Sequence, residues 1–197
     1  MKYRESASAH RWCCGEGIEI GAAAHNPFGL STINVDRDPQ TGDTPYAKEQ
    51  LRQCGEIAQV DVIASGDDLP FDDESQDFVV SSHVLEHFAD PISALMEWDR
   101  VVRPGGVIYA IVPHKERTFD VDKERTTLAH LLDDFGTAEQ NGDYGHHHAW
   151  ITEDFVEVIR WIQLNTGVRW TILELLDVDD KVGNGFAFAV RKDGTRV

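Results

Sequence analysis

Two short runs, Gly17-Ile-Glu-Ile-Gly21-Ala-Ala-Ala-His-Asn-Pro27 and Thr32-Ile-Asn-Val-Asp36, set an acidic residue, a glycine turn and a second carboxylate at the spacing of a nucleoside-binding corner. Small residues after the first run let a ligand approach the backbone, and a carboxylate ending the next strand accepts hydrogen bonds from ribose hydroxyls. The same residues would also serve as a plain strand-to-loop turn. A pyrophosphate needs a denser cradle, Gly-x-Gly-x-x-Gly, whereas Gly21 is followed by Ala22, Ala23 and Ala24, which argues against NAD.

Histidines supply the groups that could move a proton near neutral pH. His114 directly follows an apolar run at the expected rim of a sheet and reads as catalytic or substrate-contacting. His83 follows another and reads either as a base or as a residue packed beside the ligand, while His87 reads as structural. The cluster His146-His-His148 adds His148 as a further catalytic candidate. With Asp120, Asp122 and His130 it holds donors that suit a divalent ion, but the positions match no recognised ligand spacing. No metal is expected; the plainer reading is a loop folded back on itself with one imidazole facing substrate. Arg117 and Arg125 could clamp an acidic acceptor or pair with Asp120, Asp122 and Asp133, the pairing being preferred for Arg125. Trp150 reads as an acceptor-pocket wall or as core. Asp177, Asp179 and Asp180 read as a solvated turn.

These groups need a scaffold. Strand-like apolar runs recur at 17–20, 32–35, 60–63, 78–82 and 107–112, separated mostly by helical patterns or turns, which predicts a parallel sheet covered on both faces. Asp90-Pro91 supplies an N-cap and N1 proline for a helix with Ile92, Leu95, Met96 and Val102 on its buried stripe, stopped by Arg103-Pro104-Gly105-Gly106. Residues 113–150 are polar and too long for an ordinary connection, so they read as a functional insertion carrying one short helix over 126–135. A helix from Thr152 and two strands, around 170–176 and 186–191, complete an antiparallel end.

The length of 197 residues suits one domain, 1–197. A net charge of -17 repels polyanions, so phosphate-driven binding to nucleic acid is excluded. Three cysteines without disulfide or zinc spacing point to a reduced, cytoplasmic setting, and no apolar run approaches a membrane span. The expected assembly is a monomer or homodimer.

In their order and spacing the first corner, Asp36, Asp68-Leu-Pro-Phe71, Asp77-Phe-Val-Val-Ser-Ser-His-Val-Leu-Glu-His87 and Arg100-Val-Val-Arg-Pro-Gly-Gly106 resemble the class I S-adenosylmethionine-dependent methyltransferases, of the type 11 kind, over about residues 15–191. The wording Glu-Ile-Gly-Ala with a nearby Asn-Pro and Val-Asp-Arg, then Arg117-Thr-Phe-Asp120 and His146-His-His-Ala-Trp150, looks like a subgroup found among bacterial glycan and natural-product genes. The resemblance implies a Rossmann-like, doubly wound α/β fold with seven strands, mostly parallel, an antiparallel last strand and the polar insertion after the fifth. It implies S-adenosylmethionine as cofactor, S-adenosylhomocysteine as product and a small-molecule acceptor methylated on oxygen or nitrogen. Glu19, Gly21 and Ala22 would hold the methionine end, Asp36 and Arg37 the ribose, Gly66 and Asp67 the adenine, with Ser82 and His83 beneath the sulfonium. His25, Arg117 and Trp150 would face the acceptor. Three departures stand out: Ala23 and His25 occupy common glycine positions, Ser65 replaces an adenine-binding aspartate, and the segment before the first strand is short, leaving fewer residues to form a lid. The competing reading is a catalytically weak methyltransferase-like scaffold; an oxidoreductase comes third.

Overall fold

The computed structural model describes residues 1–138 and 145–194. Part of the expected insertion, 139–144, therefore lies outside the described residues.

Seven strands form one sheet: β1 (Gly17–Ile20), β2 (Thr32–Asp36), β3 (Val62–Ile63), β4 (Gln76–Ser82), β5 (Val102–Pro113), β6 (Trp170–Leu176) and β7 (Gly185–Lys192), in the order β3-β2-β1-β4-β5-β7-β6. The first five are parallel, and β7 runs antiparallel between β5 and β6. Among the described residues this is the expected α/β architecture. Chain direction away from β1 reverses there, with β2 on one side and β4 on the other, and such a switch point opens a crevice at the carboxyl ends of the strands.

Alternation along the strands divides the core in two. Ile18, Ile20, Val79, Ile108 and Ala110 face a layer built by α3 (Pro91–Val101), α4 (Leu128–Asp134) and α5 (Thr152–Asn165), through Trp98, Leu131 and Phe155 among others. Phe78, Val80, Tyr109 and Ile111 face the other way, against Ala9 of α1 (Ala7–Trp12), Cys13 and Phe28. Here α1 is capped by Ser6, whose hydroxyl accepts from Ala9 N–H at 2.9 Å.

Caps set several boundaries. The Asp90 carboxylate accepts from Ser93 N–H at 2.9 Å, with Pro91 at the first helical position, so α3 starts where expected. It ends earlier than the sequence reading placed it: Val102 is the first residue of β5, not the last of the helical stripe. Pro104, which lacks an N–H, and Gly105 at φ +86° forbid helix beyond that point, and the extended backbone instead joins the sheet. Helix α2 (Pro45–Cys54) begins at Thr44, whose hydroxyl accepts from Ala47 N–H at 3.1 Å, and ends on Gly55. No helix among the described residues is long and apolar enough to cross a membrane.

Candidate functional site

A cavity of about 350 Å³ opens at the carboxyl ends of β1 to β4. Four chain turns meet there. The turn after β1 brings Gly21, β2 ends in Asp36 with Arg37 beside it, the segment after β3 brings Ala64, Ser65 and Gly66, and the end of β4 brings His83 and Val84. Phe88 and His87 close one side, and Gln40, Pro45, Tyr46 and Glu49 of the α2 region close the other.

Glycine is required at two of these turns. Gly21 sits at φ +69°, and a Cβ there would stand 2.8 Å from Val84 Cγ2. A Cβ on Gly66 would stand 2.8 Å from both Ile20 Cγ2 and Phe88 Cζ. The loop carrying Gly66 is fixed from behind by α3: Trp98 Nε1 donates to Gly66 O at 2.7 Å, Leu69 N–H donates to Glu97 Oε1 at 2.8 Å, and Arg100 donates to the carbonyls of Leu69 and Phe71 at 2.9 and 2.8 Å.

Asp36 is oriented rather than consumed. Its Oδ1 accepts from Asp38 N–H at 2.9 Å and its Oδ2 from Gln40 Nε2 at 3.1 Å, leaving lone pairs on both oxygens. Burial raises its pKa above the usual carboxylate value, against these two donors. His83, in a left-handed conformation at φ +57°, is held neutral by burial, which lowers its pKa to about 4. Among the described residues its buried Nε2 has no hydrogen-bond partner.

Of the residues singled out from sequence, Gly21, Asp36, Arg37, Ser65, Gly66, His83 and His87 line this cavity. The others stand elsewhere. Glu19 points to the opposite sheet face, where Thr32 Oγ1 donates to it at 3.3 Å and Lys181 is its charge partner; burial pushes the Glu19 carboxyl up and the Lys181 ammonium down, and each charge opposes the other's shift. Ala22 N–H donates to Asn34 Oδ1 at 3.2 Å. Ser82 Oγ accepts from Asn26 Nδ2 at 3.2 Å, and Ser65 Oγ donates to Asp67 Oδ1. His25 is buried between Tyr3 and Tyr46, with ring centroids 6.3 and 6.5 Å away.

The candidates beyond β5 are absorbed by local structure. His114 Nδ1 accepts from Glu116 N–H at 3.2 Å, its Nε2 lies 4.0 Å from Asp177, and burial followed by the Arg117 charge lowers its pKa. Arg117 pairs with Asp177 at 2.7 Å and donates to Gly185 O at 3.2 Å. Arg125 pairs with Asp154 and not with Asp120, Asp122 or Asp133. His148 stacks on Trp150 at 5.0 Å and 18°, and burial lowers its pKa to about 4. Trp150 is fully buried against Phe155, so it is a core residue and not a pocket wall. The turn expected to be solvated is also corrected: Asp179 is buried and accepts from the N–H groups of Lys181, Val182, Gly183 and Gly185 at 2.7–2.9 Å.

Sequence reasoning missed Gln40, Tyr46 and Glu49; Tyr46 of α2 reaches back to the turn after β1, where its Oη donates to Gly21 O at 3.4 Å. A proline at the helix start after Asp36 was the available signal.

Comparison with known proteins agrees with this arrangement. Residues 12–110 match the family described as methyltransferase domain. An uncharacterized methyltransferase of Mycobacterium sp. (strain KMS) is 30% identical over 160 residues, covering 79% of this chain and 58% of the relative. The chain thus spans little more than half the length of such relatives. Among solved structures, an S-adenosylmethionine-dependent methyltransferase from Thermotoga maritima aligns with a TM-score of 0.56 at 17% identity, covering 95% of this chain and 86% of that one. Another from Methanosarcina mazei aligns at 0.55 and 14%, covering 96% and 98%. At these identities the structures speak for the fold.

Proposed function

The chain belongs to the methyltransferase domain family, whose cofactor is S-adenosylmethionine, and from that membership we propose that it transfers a methyl group to an oxygen or nitrogen of a small molecule, a sugar-bearing or secondary metabolite. The residues at the switch-point cavity fit the cofactor. Gly21 and Gly66 stand where a Cβ would collide with the cavity's own walls, Asp36 keeps acceptor capacity facing a nucleoside-sized space, and Phe88 and Val84 give it apolar sides.

When bound, the cofactor supplies a methyl group on a sulfonium, an activated leaving group, so alignment does more for the rate than acid–base chemistry. Asp36 would accept the ribose hydroxyls, its direction fixed by Asp38 N–H and Gln40. The carbonyl-anchored loop at Gly66 would flank the base, held by Trp98 and Arg100. His83, neutral at pH 7, is a weak proton acceptor; its role is to take a hydrogen bond from the acceptor's O–H or N–H and hold it in line. The chain's charge of -17 favours a neutral or cationic small acceptor over a polyanion.

The observation that carries this reading is the meeting of Gly21, Asp36, Gly66 and His83 in one cavity at the strand ends. Calorimetry with S-adenosylmethionine and S-adenosylhomocysteine, followed by a labelled-methyl screen over hydroxyl and amine acceptors, tests it. Binding with turnover supports transfer. Tight binding with no turnover on any acceptor class favours a scaffold, and no binding of either ligand removes the reading.

A further inference from the structure

We propose that Glu86, His87 and His146 bind one divalent transition-metal ion at the edge of the cavity. Glu86 is wholly buried, and among the described residues neither of its carboxylate oxygens has a hydrogen-bond partner. A buried carboxyl left in that state is costly, and such groups are ordinarily paired or bound to a metal. Two imidazoles converge on it: His87 Nε2 and His146 Nε2 each lie 3.7 Å from Glu86 Oε1, too far for a hydrogen bond. The three donor atoms lie within 4.8 Å of one another. Ligands about 2.1 Å from a tetrahedral ion stand roughly 3.4 Å apart, so the spacing suits an ion between them better than direct contact.

The outer contacts prepare both rings. His146 Nδ1 bonds Asp120 Oδ2 at 2.6 Å, and Asp120 is itself buried. His87 Nδ1 bonds Gly145 O at 2.9 Å. A carboxylate and a carbonyl on the δ nitrogens fix the tautomers that turn ε lone pairs towards a metal. The backbone sets the register, since Glu86 O accepts from His147 N–H at 2.8 Å and from His148 N–H at 3.3 Å. Two imidazoles and one carboxylate suit zinc, iron(II), cobalt or nickel, whereas magnesium and calcium prefer oxygen throughout. His87 also lines the cavity, so the ion borders it. Asp122, His130, His147 and His148, which the spacing grouped with His146, are not among the three ligands.

The site stands apart from the methyl-transfer reading, and its test keeps the two separate. Chelator-stripped protein is titrated with zinc chloride and, in parallel, magnesium chloride by calorimetry, and loaded with cobalt(II) for its visible spectrum. The expected result is one zinc per chain, no heat with magnesium, and a cobalt spectrum without thiolate charge-transfer bands. Asp120→Asn should weaken zinc binding about 10- to 100-fold, and Glu86→Gln and His146→Gln should each weaken it further, while His130→Gln leaves it unchanged. Binding of S-adenosylhomocysteine and circular dichroism report whether each variant is folded; should Glu86→Gln not fold, His146→Gln and the cobalt spectrum still decide. The proposal is overturned if the wild-type protein takes up no zinc, if zinc affinity survives in folded Glu86→Gln or His146→Gln protein, or if cobalt shows thiolate bands from Cys13 and Cys14.

Discussion

Replacing Asp36 by alanine removes the carboxylate that ends β2 without disturbing the sheet, because its carboxylate bonds two local donors rather than the strand ladder. Asp38 N–H at 2.9 Å and Gln40 Nε2 at 3.1 Å lose their acceptor, and water entering the cavity can replace it. Stability should therefore fall by no more than about 1–2 kcal/mol, one modest hydrogen bond for each donor. Ligand affinity should fall by more in consequence, since a ribose hydroxyl bonded to a carboxylate contributes about 1–3 kcal/mol, a roughly 5- to 150-fold rise in Kd. Asp36→Asn is the sharper probe. An amide offers one acceptor oxygen, so its NH2 must oppose either the Asp38 N–H or the Gln40 NH2, and affinity should fall as in the alanine variant although the shape is kept. Gln40→Ala, which frees the carboxylate without removing it, should cost less than either. Calorimetry with S-adenosylhomocysteine at fixed salt measures all three. A Kd within twofold of wild type in folded Asp36→Ala protein would refute the assignment of this carboxylate to the ligand.

Gly21→Ala places a Cβ 2.8 Å from Val84 Cγ2 at a φ of +69°, so it should lower unfolding free energy by about 1–2 kcal/mol from the backbone alone, read in urea titrations. Trp150→Ala empties a fully buried position and should cost about 3–5 kcal/mol in the same assay, with loss of a core packing signal in near-ultraviolet dichroism. For Asp179, burial works to raise the pKa, but the four backbone donors together hold it below the ordinary value. Its stabilisation is therefore complete above the unfolded pKa of about 4 and is lost as pH falls through the lower folded value. The Tm gap between wild type and Asp179→Asn should be wide at pH 7 and close as pH falls below the ordinary carboxylate range; a gap independent of pH would mean that the carboxylate charge is irrelevant there.

The sheet was readable because each strand is an apolar run bounded by turn residues, and the corner was readable because Gly21 and Asp36 are constrained by backbone geometry close in sequence. Where a side chain's role depends on a distant partner, the sequence carried no sign of it. The resemblance places Glu19 at the methionine end of the ligand, yet strand alternation sends it with Val80 to the other face, where Lys181 meets it. Asp179 sat in an acidic run that resembles a solvated turn, and only the loop's curl, which aims four N–H groups at it, makes it a buried anchor. Arg125 was expected to find a nearby carboxylate but reaches Asp154, at the start of α5, because that helix start packs beside it. Glu86 offers the extreme case: nothing within Leu-Glu-His marks it as fully enclosed.

The position of β7 has a consequence for how the chain is made. Among the described residues, strand β6 meets the sheet only through β7, which is synthesised after it and slots between β6 and β5. A nascent chain halted after β6 would thus carry an orphan hairpin arm with no ladder to join, and the flank of β5 would stay open to stray pairing. The amino terminus waits as well, because Ser6 and Ser8 bond Asp180, and Trp12 bonds Glu174. Docking of β7 is therefore the event that latches residues 6–12 onto the β6 edge, and these slow, long-separation contacts follow the pairing of β5 with β7.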